Sequence, residues 1–440
     1  MNQNAESSGA LPLRTVKVDY LSRVEGEGGL YVRAEGNQVR EVKLNIFEPP
    51  RFFEAFLRGR YLQEVPDITA RICGICPVAY QMSSVHALEA ALGVKINPAI
   101  RTLRRLLYCG EWIESHALHI YLLQLPDFLG YDSAIAMAAD YPKEVELALR
   151  LKKIGNDLLD VLGGRATHPV SVCVGGFYKA PRRKDLQKLI PDLEWGLEAS
   201  IATVRLVAGL KFPDFTPDYE FVSVAHPAEY PMNEYRIVSS RGVDVAPADF
   251  ESAFLEEHVE HSTALHSRRA GTTTSYFVGP LARVNLNREK LMPRAKEAAL
   301  ACGITWPSRN PFQGVVARAI EMVHAYEEAL AIINAYEEPA KSREDFKLRA
   351  GEGSAATEAP RGVLYHRYRI NDQGLVEFAK IVPPTAQNYA RMEDDLRQYL
   401  PGVLDRTEPE IARACENLVR NYDPCISCST HFLKLKLDRE

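Results

Sequence analysis

Two Cys-x-x-Cys pairs stand at opposite ends of this 440-residue chain, Cys73-Gly74-Ile75-Cys76 and Cys425-Ile426-Ser427-Cys428. Each pair can present two thiolates to one ion, because two intervening residues make a turn, assisted by Gly74 in the first and by Pro424 before the second. If both pairs serve one site, the 348 residues between Cys76 and Cys425 must fold so that the ends meet, which argues against a domain boundary between them. Four thiolates are a soft donor set, and softness alone leaves open structural zinc, a redox metal or unconnected thiols. A structural zinc knuckle is small and local, whereas ligands drawn from both ends of a chain suit a buried cofactor that the whole fold encloses. In a reducing compartment such pairs bind metal or do redox work more often than they form disulfides.

The rest of the chain supplies a large core. Residues 13–47 read as strands: Val16 and Val18, Leu30 and Val32, then Val39, Val42, Leu44 and Ile46, broken by the turns Glu25 to Gly29 and Gly36-Asn37. Beyond Pro50 the period becomes helical. Asn97-Pro98 opens a helix with Ile100, Leu103, Leu106, Leu107 and Ile113 on its apolar face, and similar patterns run over 143–162, 186–210 and 315–334. Turn-rich stretches fall at 212–233 and 337–358, and a strand pair is expected near 362–370 and 375–381. The fold class is therefore mainly α with a small N-terminal β-sheet (α+β), a long-helix bundle enclosing a buried metal centre. We expect one interleaved domain over 1–440, with an N-terminal β region (13–47), a helical core (50–340), a C-terminal segment that carries the second cysteine pair (358–431) and a tail (432–440).

Composition removes other classes. Hydrophobic residues make up 46% and charged residues 25%, with a net charge of −5, so neither a disordered chain nor a basic nucleic-acid-wrapping protein is expected. No apolar run approaches the roughly 18–20 residues that cross a bilayer. Met1 to Pro12 is polar, without a basic stretch followed by an apolar one, so no export signal is expected. A cytoplasmic location follows, unless a partner carries the address.

The surroundings of the cysteines are specific. Arg23-Val24-Glu25-Gly26, Glu54 with Leu57-Arg58-Gly59-Arg60, Ser115-His116-Ala117-Leu118-His119, Gly164-Arg165 with His168-Pro169 and Gly175-Gly176, Gly279 to Asn285, Glu358-Ala359-Pro360-Arg361-Gly362 and Pro384-Thr385 occur in order along the chain. This ordered set, with the two cysteine motifs, resembles the large subunit of nickel-iron hydrogenases over nearly the entire length.

The resemblance implies reversible heterolytic cleavage of H2 at nickel and iron, the iron carrying carbon monoxide and cyanide. It makes Cys73 and Cys425 terminal nickel ligands and Cys76 and Cys428 bridges to iron. It also makes Glu25 the first proton acceptor from Cys425; read alone, Glu25 is an exposed carboxylate in a Gly-rich turn. A carboxylate in that role must take and release a proton near neutral pH. Pro360, Arg361, Pro384 and Thr385 are implied around the diatomic ligands, with Asp423 beside them; the fixed charge and rigid fork of Arg361 should not be replaceable by Lys. Glu54, His431 and the main-chain carbonyl of Ile381 are implied around a second, hard ion, magnesium or another divalent.

Implied partners are an iron-sulfur small subunit, since the chain has no further cluster ligands, and flavin and iron-sulfur diaphorase subunits leading to NAD(P). A maturation protease that cuts after His431 is implied as well, removing Phe432 to Glu440, which otherwise read as a retained strand. The chain shows no dinucleotide fingerprint of its own: Glu25 to Gly29 lacks the glycine spacing. Two positions depart from many members, Tyr80 where His is common and Ser115 where Asp is, and both point to the cytoplasmic, multi-subunit branch. Cys109, Cys173, Cys302 and Cys415 have no paired spacing, and His226, His258, His261, His266 and His324 are read as surface or core residues. Two alternatives stand beside this reading: a non-catalytic scaffold related to the quinone module of respiratory complex I, and a zinc-stapled interaction protein.

Overall fold

The alternating apolar residues of the N-terminus form the antiparallel sheet that the sequence predicts, with strands Leu13–Val18, Gly28–Glu35 and Gln38–Ile46 in sequential order. The computed structural model describes residues 13–49 and 51–430; His431 and the tail 432–440 lie outside the described residues. One face of this sheet buries Val16, Leu30, Val32, Val42, Leu44 and Ile46 against Tyr389, Met392 and Leu396 of the Pro384–Tyr399 helix and Ile411 and Leu418 of the Glu408–Arg420 helix. The N-terminal sheet and the helices at 384–399 and 408–420 therefore share a core.

The larger core lies among the long helices Pro77–Leu92, Pro98–Leu118, Pro142–Gly163, Ile190–Ala208 and Gly314–Ala335. Asn97 caps the second of these, its side chain accepting from the Ile100 amide at 2.9 Å, with Pro98 in the first turn where its missing N–H costs nothing. Leu103, Leu106, Leu107 and Ile113 of this helix are fully buried, each worth about 1.5–3 kcal/mol of transfer free energy. The helix then widens into a π-helical turn, His119–Gln124. Pro126 just beyond cannot donate back into a regular α-helical ladder, which favours such a change of winding. The turn sets His119 Nε2 2.8 Å from the Arg420 carbonyl and pairs Gln124 with Asn421, so it docks onto the residues just before the second cysteine pair.

Two regions differ from the sequence pattern. Residues 212–233 read as turns and lie within the stretch read as helical core, yet Phe221–Ala225 is the centre of a small sheet with Arg236–Ser239 and Phe277–Val278, and Phe254–Glu257 pairs with His266–Arg269. These strands are two to five residues long, too short to show a period. Likewise Gly351–Ala359 is a nine-residue strand, joined by Gly362–Ile370 and Val376–Val382. Its Gly, Ala and Glu residues disfavour a strand intrinsically, and packing of the Pro77–Leu92 helix against small side chains overrides that preference.

A buried ionic cluster ties these layers together. Arg283 sends Nε and Nη2 to the two carboxylate oxygens of Glu321 at 2.7 Å each and Nη1 to Glu358 at 2.8 Å, with no exposure of any of the three side chains. His116 Nε2 and Tyr230 Oη complete Glu321, at 3.0 and 2.7 Å. Arg283 also donates to the carbonyls of Ala359 and Pro360, and so holds the tip of the hairpin that carries Arg361. Removing one member leaves the others buried and uncompensated. Arg283→Met should therefore cost about 3–5 kcal/mol in thermal unfolding; a loss below about 1 kcal/mol, the scale of an exposed pair, would contradict this reading.

Candidate metal centre

Each cysteine pair is presented by a chain reversal next to a helix end. Cys76 immediately precedes the Pro77–Leu92 helix, whose first free amides, Val78 and Ala79, donate to the Glu111 carboxylate at 2.6 and 3.1 Å. Folding back, the amides of Ile75 and Cys76 point at Cys73 Sγ, at 3.4 and 3.1 Å. The second pair follows Asp423, which takes a left-handed φ of 52°, and its Cys425 amide donates to Thr385 Oγ1 at 3.0 Å. Arg51 bridges the motifs: its Nη2 donates to the Ser427 carbonyl at 2.6 Å and to the Ile72 carbonyl.

The four sulfurs meet inside the larger apolar core. Cys73 Sγ and Cys425 Sγ are 3.7 Å apart, and the Sγ atoms of Cys73, Cys425 and Cys428 all lie within 4.8 Å of one another. Cys76 falls outside that tightest group of three but interacts electrostatically with each of the others. All four are buried and none forms a disulfide. Burial pushes the thiols of Cys425 and Cys428 up, whereas Cys73, despite burial, is drawn below the ordinary thiol range by Cys425, Cys428, Cys76 and Arg361. A quartet whose members resist joint ionisation needs a cation to become four thiolates, which is the chemistry of a metal-binding set.

The sequence-predicted neighbours are here too. Glu25 Oε2 lies 3.0 Å from Cys425 Sγ and accepts from the Ser427 amide at 3.1 Å, while the Glu25 carbonyl accepts from Ile426 at 2.8 Å. The turn is anchored from behind, since Asp127 takes Arg420 in a two-pronged pair at 2.6 and 2.7 Å and also binds Arg23, and Arg420 holds the Ser22 carbonyl. Pro360 and Arg361 form the two-residue tip of a hairpin. Gly362 completes it at a φ of +130°, where a Cβ would come within 2.8 Å of the Gly279 amide. Arg361 donates through Nε to the Asp423 carbonyl at 2.7 Å and through Nη2 to its carboxylate at 3.1 Å. Burial works against the Asp423 carboxylate, but Arg361, His119 and Arg318 hold it below the usual range. Among the described residues, Arg361 Nη1 is buried without a partner, as is the Tyr80 hydroxyl, whose proton is held by burial and by the nearby cysteines. Such orphaned donors beside a thiol quartet fit an additional polar group in the pocket.

Pro384 and Thr385 open the Pro384–Tyr399 helix and are buried. Glu54 and Ile381 also meet: the Ile381 amide donates to Glu54 Oε1 at 2.8 Å, and burial raises the Glu54 carboxyl to about 7. Cys109, Cys173 and Cys415 are buried and belong to no metal-type cluster among the described residues, and Cys302 is half-buried. Glu111, Arg51, Arg420 and Asp127 were not singled out from sequence; a lone Glu in a helix or an Arg after two prolines carries no signal of a partner hundreds of residues away.

A family model described as nickel-dependent hydrogenase matches residues 51–157 and 273–431. The chain belongs to this family. It is a nickel-iron hydrogenase large subunit, an oxidoreductase acting on H2, and neither the scaffold nor the zinc-staple alternative is favoured. The chain is 36% identical over 430 residues to sulfhydrogenase 1 subunit alpha of Pyrococcus furiosus, covering 96% of this chain and 98% of that one. It is 28% identical over 472 residues to the NAD-reducing hydrogenase HoxS subunit beta of Cupriavidus necator, covering 96% and 95%. The crystal structure of an NAD+-reducing [NiFe]-hydrogenase in the H2-reduced state superposes with a TM-score of 0.85 at 26% identity, over 95% of this chain and 99% of that chain. Family membership implies a nickel-iron centre, and the names of these relatives describe subunits of larger assemblies. Among the described residues, no helix is long and apolar enough to cross a membrane.

Gly26 tests the placement of the hydrogenase site. Its φ is +88°, and a Cβ there would meet Glu48 Oε2 at 2.5 Å and Ile426 Cβ and the Ser427 amide at 2.8 Å. Gly26→Ala should cost about 1–3 kcal/mol and lower activity by displacing Glu25 from Cys425. Unchanged thermal stability and activity would show that the turn is not held against the second cysteine pair.

Proposed function

We propose that Cys73, Cys76, Cys425 and Cys428 hold a nickel-iron centre at which H2 is reversibly cleaved, with Cys425 and Glu25 carrying the first proton step. Cys73 and Cys425 would hold nickel alone, and Cys76 and Cys428 would hold both nickel and an iron that carries carbon monoxide and cyanide. When bound, the centre supplies an open, electron-accepting position at which dihydrogen is polarised. The carrying observation is the 3.0 Å contact between Cys425 Sγ and Glu25 Oε2 at the edge of the quartet.

The chain's own groups do the rest. The Cys425 sulfur takes the proton released from dihydrogen and donates it to Glu25 Oε2, which the Ser427 amide keeps aimed at the sulfur. Glu25 is half-buried, so it can pass the proton outward rather than store it. The unpartnered Nη1 of Arg361 is available to the diatomic ligands while Asp423 fixes the rest of the guanidinium, and Pro360, Pro384 and Thr385 shape the pocket around them.

Glu54, Ile381 and His431 hold a magnesium or similar ion, for which oxygen donors are suited. Electrons leave to an iron-sulfur small subunit and, through flavin and iron-sulfur subunits, to NAD(P), in keeping with the NAD-reducing relative. The assembly works in the cytoplasm, and a protease matures the large subunit by cutting after His431.

Two substitutions test the roles. Glu25→Gln should leave nickel and iron content intact and lower turnover by roughly 10²–10⁴-fold, the worth of a positioned acid or base; metal-replete protein with unchanged turnover would remove Glu25 from the path. Arg361→Lys should cost roughly 10–100-fold in activity and shift the infrared bands of the carbon monoxide and cyanide ligands. Unshifted bands would mean that the guanidinium does not reach them.

A further inference from the structure

A second group of metal-type ligands lies beside Tyr389, whose ring stacks on one of them and whose hydroxyl shares a hydrogen bond with Ser429, next to Cys428. It consists of His261 in the loop between the Phe254–Glu257 and His266–Arg269 strands, His266 at the start of the second strand, and Glu393 on the Pro384–Tyr399 helix. Each offers a ligand atom, and the three atoms lie within 4.8 Å of one another. The two imidazole rings are 5.7 Å apart and nearly perpendicular, at 89°, and His261 Nε2 is 2.7 Å from Glu393 Oε1.

A hydrogen bond between His261 and Glu393 accounts for two members but not for His266. That side chain is fully buried, and among the described residues neither Nδ1 nor Nε2 has a hydrogen-bond partner. A neutral imidazole carries one donor and one acceptor, and leaving both unmet in the interior is costly. Burial, with His261, Arg268 and Arg397, pushes the His266 imidazole down to about 3 and so keeps it in the neutral, metal-binding form. Its ring is fixed by stacking on Tyr389, with centroids 5.6 Å apart.

We propose that His261, His266 and Glu393 form a zinc-type metal site, separate from the cysteine quartet, that clamps the N-terminal sheet and the 258–266 segment onto the Pro384–Tyr399 helix. Two imidazoles and a carboxylate suit zinc or a neighbouring first-row ion rather than magnesium, and water can supply a fourth ligand. Bonds of about 2.0–2.2 Å require the 2.7 Å contact between His261 and Glu393 to open slightly and admit the ion, which side-chain rotation provides. The supports are already fixed: Glu393 Oε1 accepts from the Leu44 amide at 2.9 Å, and Thr263 bonds to the carbonyls of Ile46 and Glu48 at 2.8 and 2.9 Å. Arg397 lies 3.5 Å from Glu393 Oε2 and neutralises part of the carboxylate, leaving Oε1 as the oxygen turned to the histidines. His261 is half-buried and gives the ion a way in.

The assembled enzyme, stripped with a mild chelator and exposed separately to zinc and to cobalt(II), tests this. After gel filtration, wild type should retain one zinc per large subunit more than His261→Ala or Glu393→Gln, with nickel and iron equal in all three. The cobalt-loaded wild type should show the visible absorption of a low-coordinate, nitrogen-ligated ion, and zinc should raise its unfolding temperature but not that of His261→Ala. Equal zinc in wild type, His261→Ala and Glu393→Gln overturns the proposal. So does a wild type that takes up no more zinc or cobalt than either substituted protein, however stable those proteins are, because that result is read on the native chain.

Discussion

The approach of Cys73 and Cys425 to 3.7 Å, across a sequence separation of 352, is the constraint around which the molecule is organised. Nothing local produces it. The first pair is set by a helix start that Glu111 caps, and the second by a chain reversal that Arg361, Thr385 and the Glu25 backbone hold. Arg51 reaches both. A site assembled this way draws its ligands from segments far apart in sequence, so it depends on the packing between them rather than on any one local motif.

The polar interior follows from that demand. Buried arginines at 283, 361 and 420 each grip a carboxylate and at least one main-chain carbonyl, and the carbonyls they choose lie in the hairpin tip, the segment before Cys425 and the turn carrying Glu25. Such pairs add little net stability compared with apolar packing. What they contribute is position: a guanidinium fork fixes a carbonyl in a direction that leucine packing leaves loose. The Cys425–Glu25 contact is the product of several such fixings acting together.

Much of this was legible in sequence because it rests on pattern. The long helices announced themselves through 3-to-4 spacing and the Asn97-Pro98 start, and the N-terminal sheet through alternation and Gly36-Asn37. The cysteine motifs, with Glu25, Arg361 and Asp423, were legible through ordered resemblance. What stayed hidden depends on tertiary partners. The Gly351–Ala359 strand is built from residues that avoid strands, and the strands between 221 and 278 are too short to carry a period. The π-helical turn at 119–124 and the capping role of Glu111 have no signature either. His261, His266 and Glu393 share no spacing that would pair them; only the fold brings them together.

The proposed chemistry stands on four sulfurs serving one nickel-iron centre. Nickel K-edge X-ray absorption on the assembled, active enzyme reads this directly, through the atoms around nickel and the presence of a nearby iron. The expected result is a nickel environment dominated by sulfur, with iron as a close neighbour, and loss of both features when Cys425 is replaced. Nickel ringed by nitrogen and oxygen, or zinc alone in the cysteine site, would contradict it.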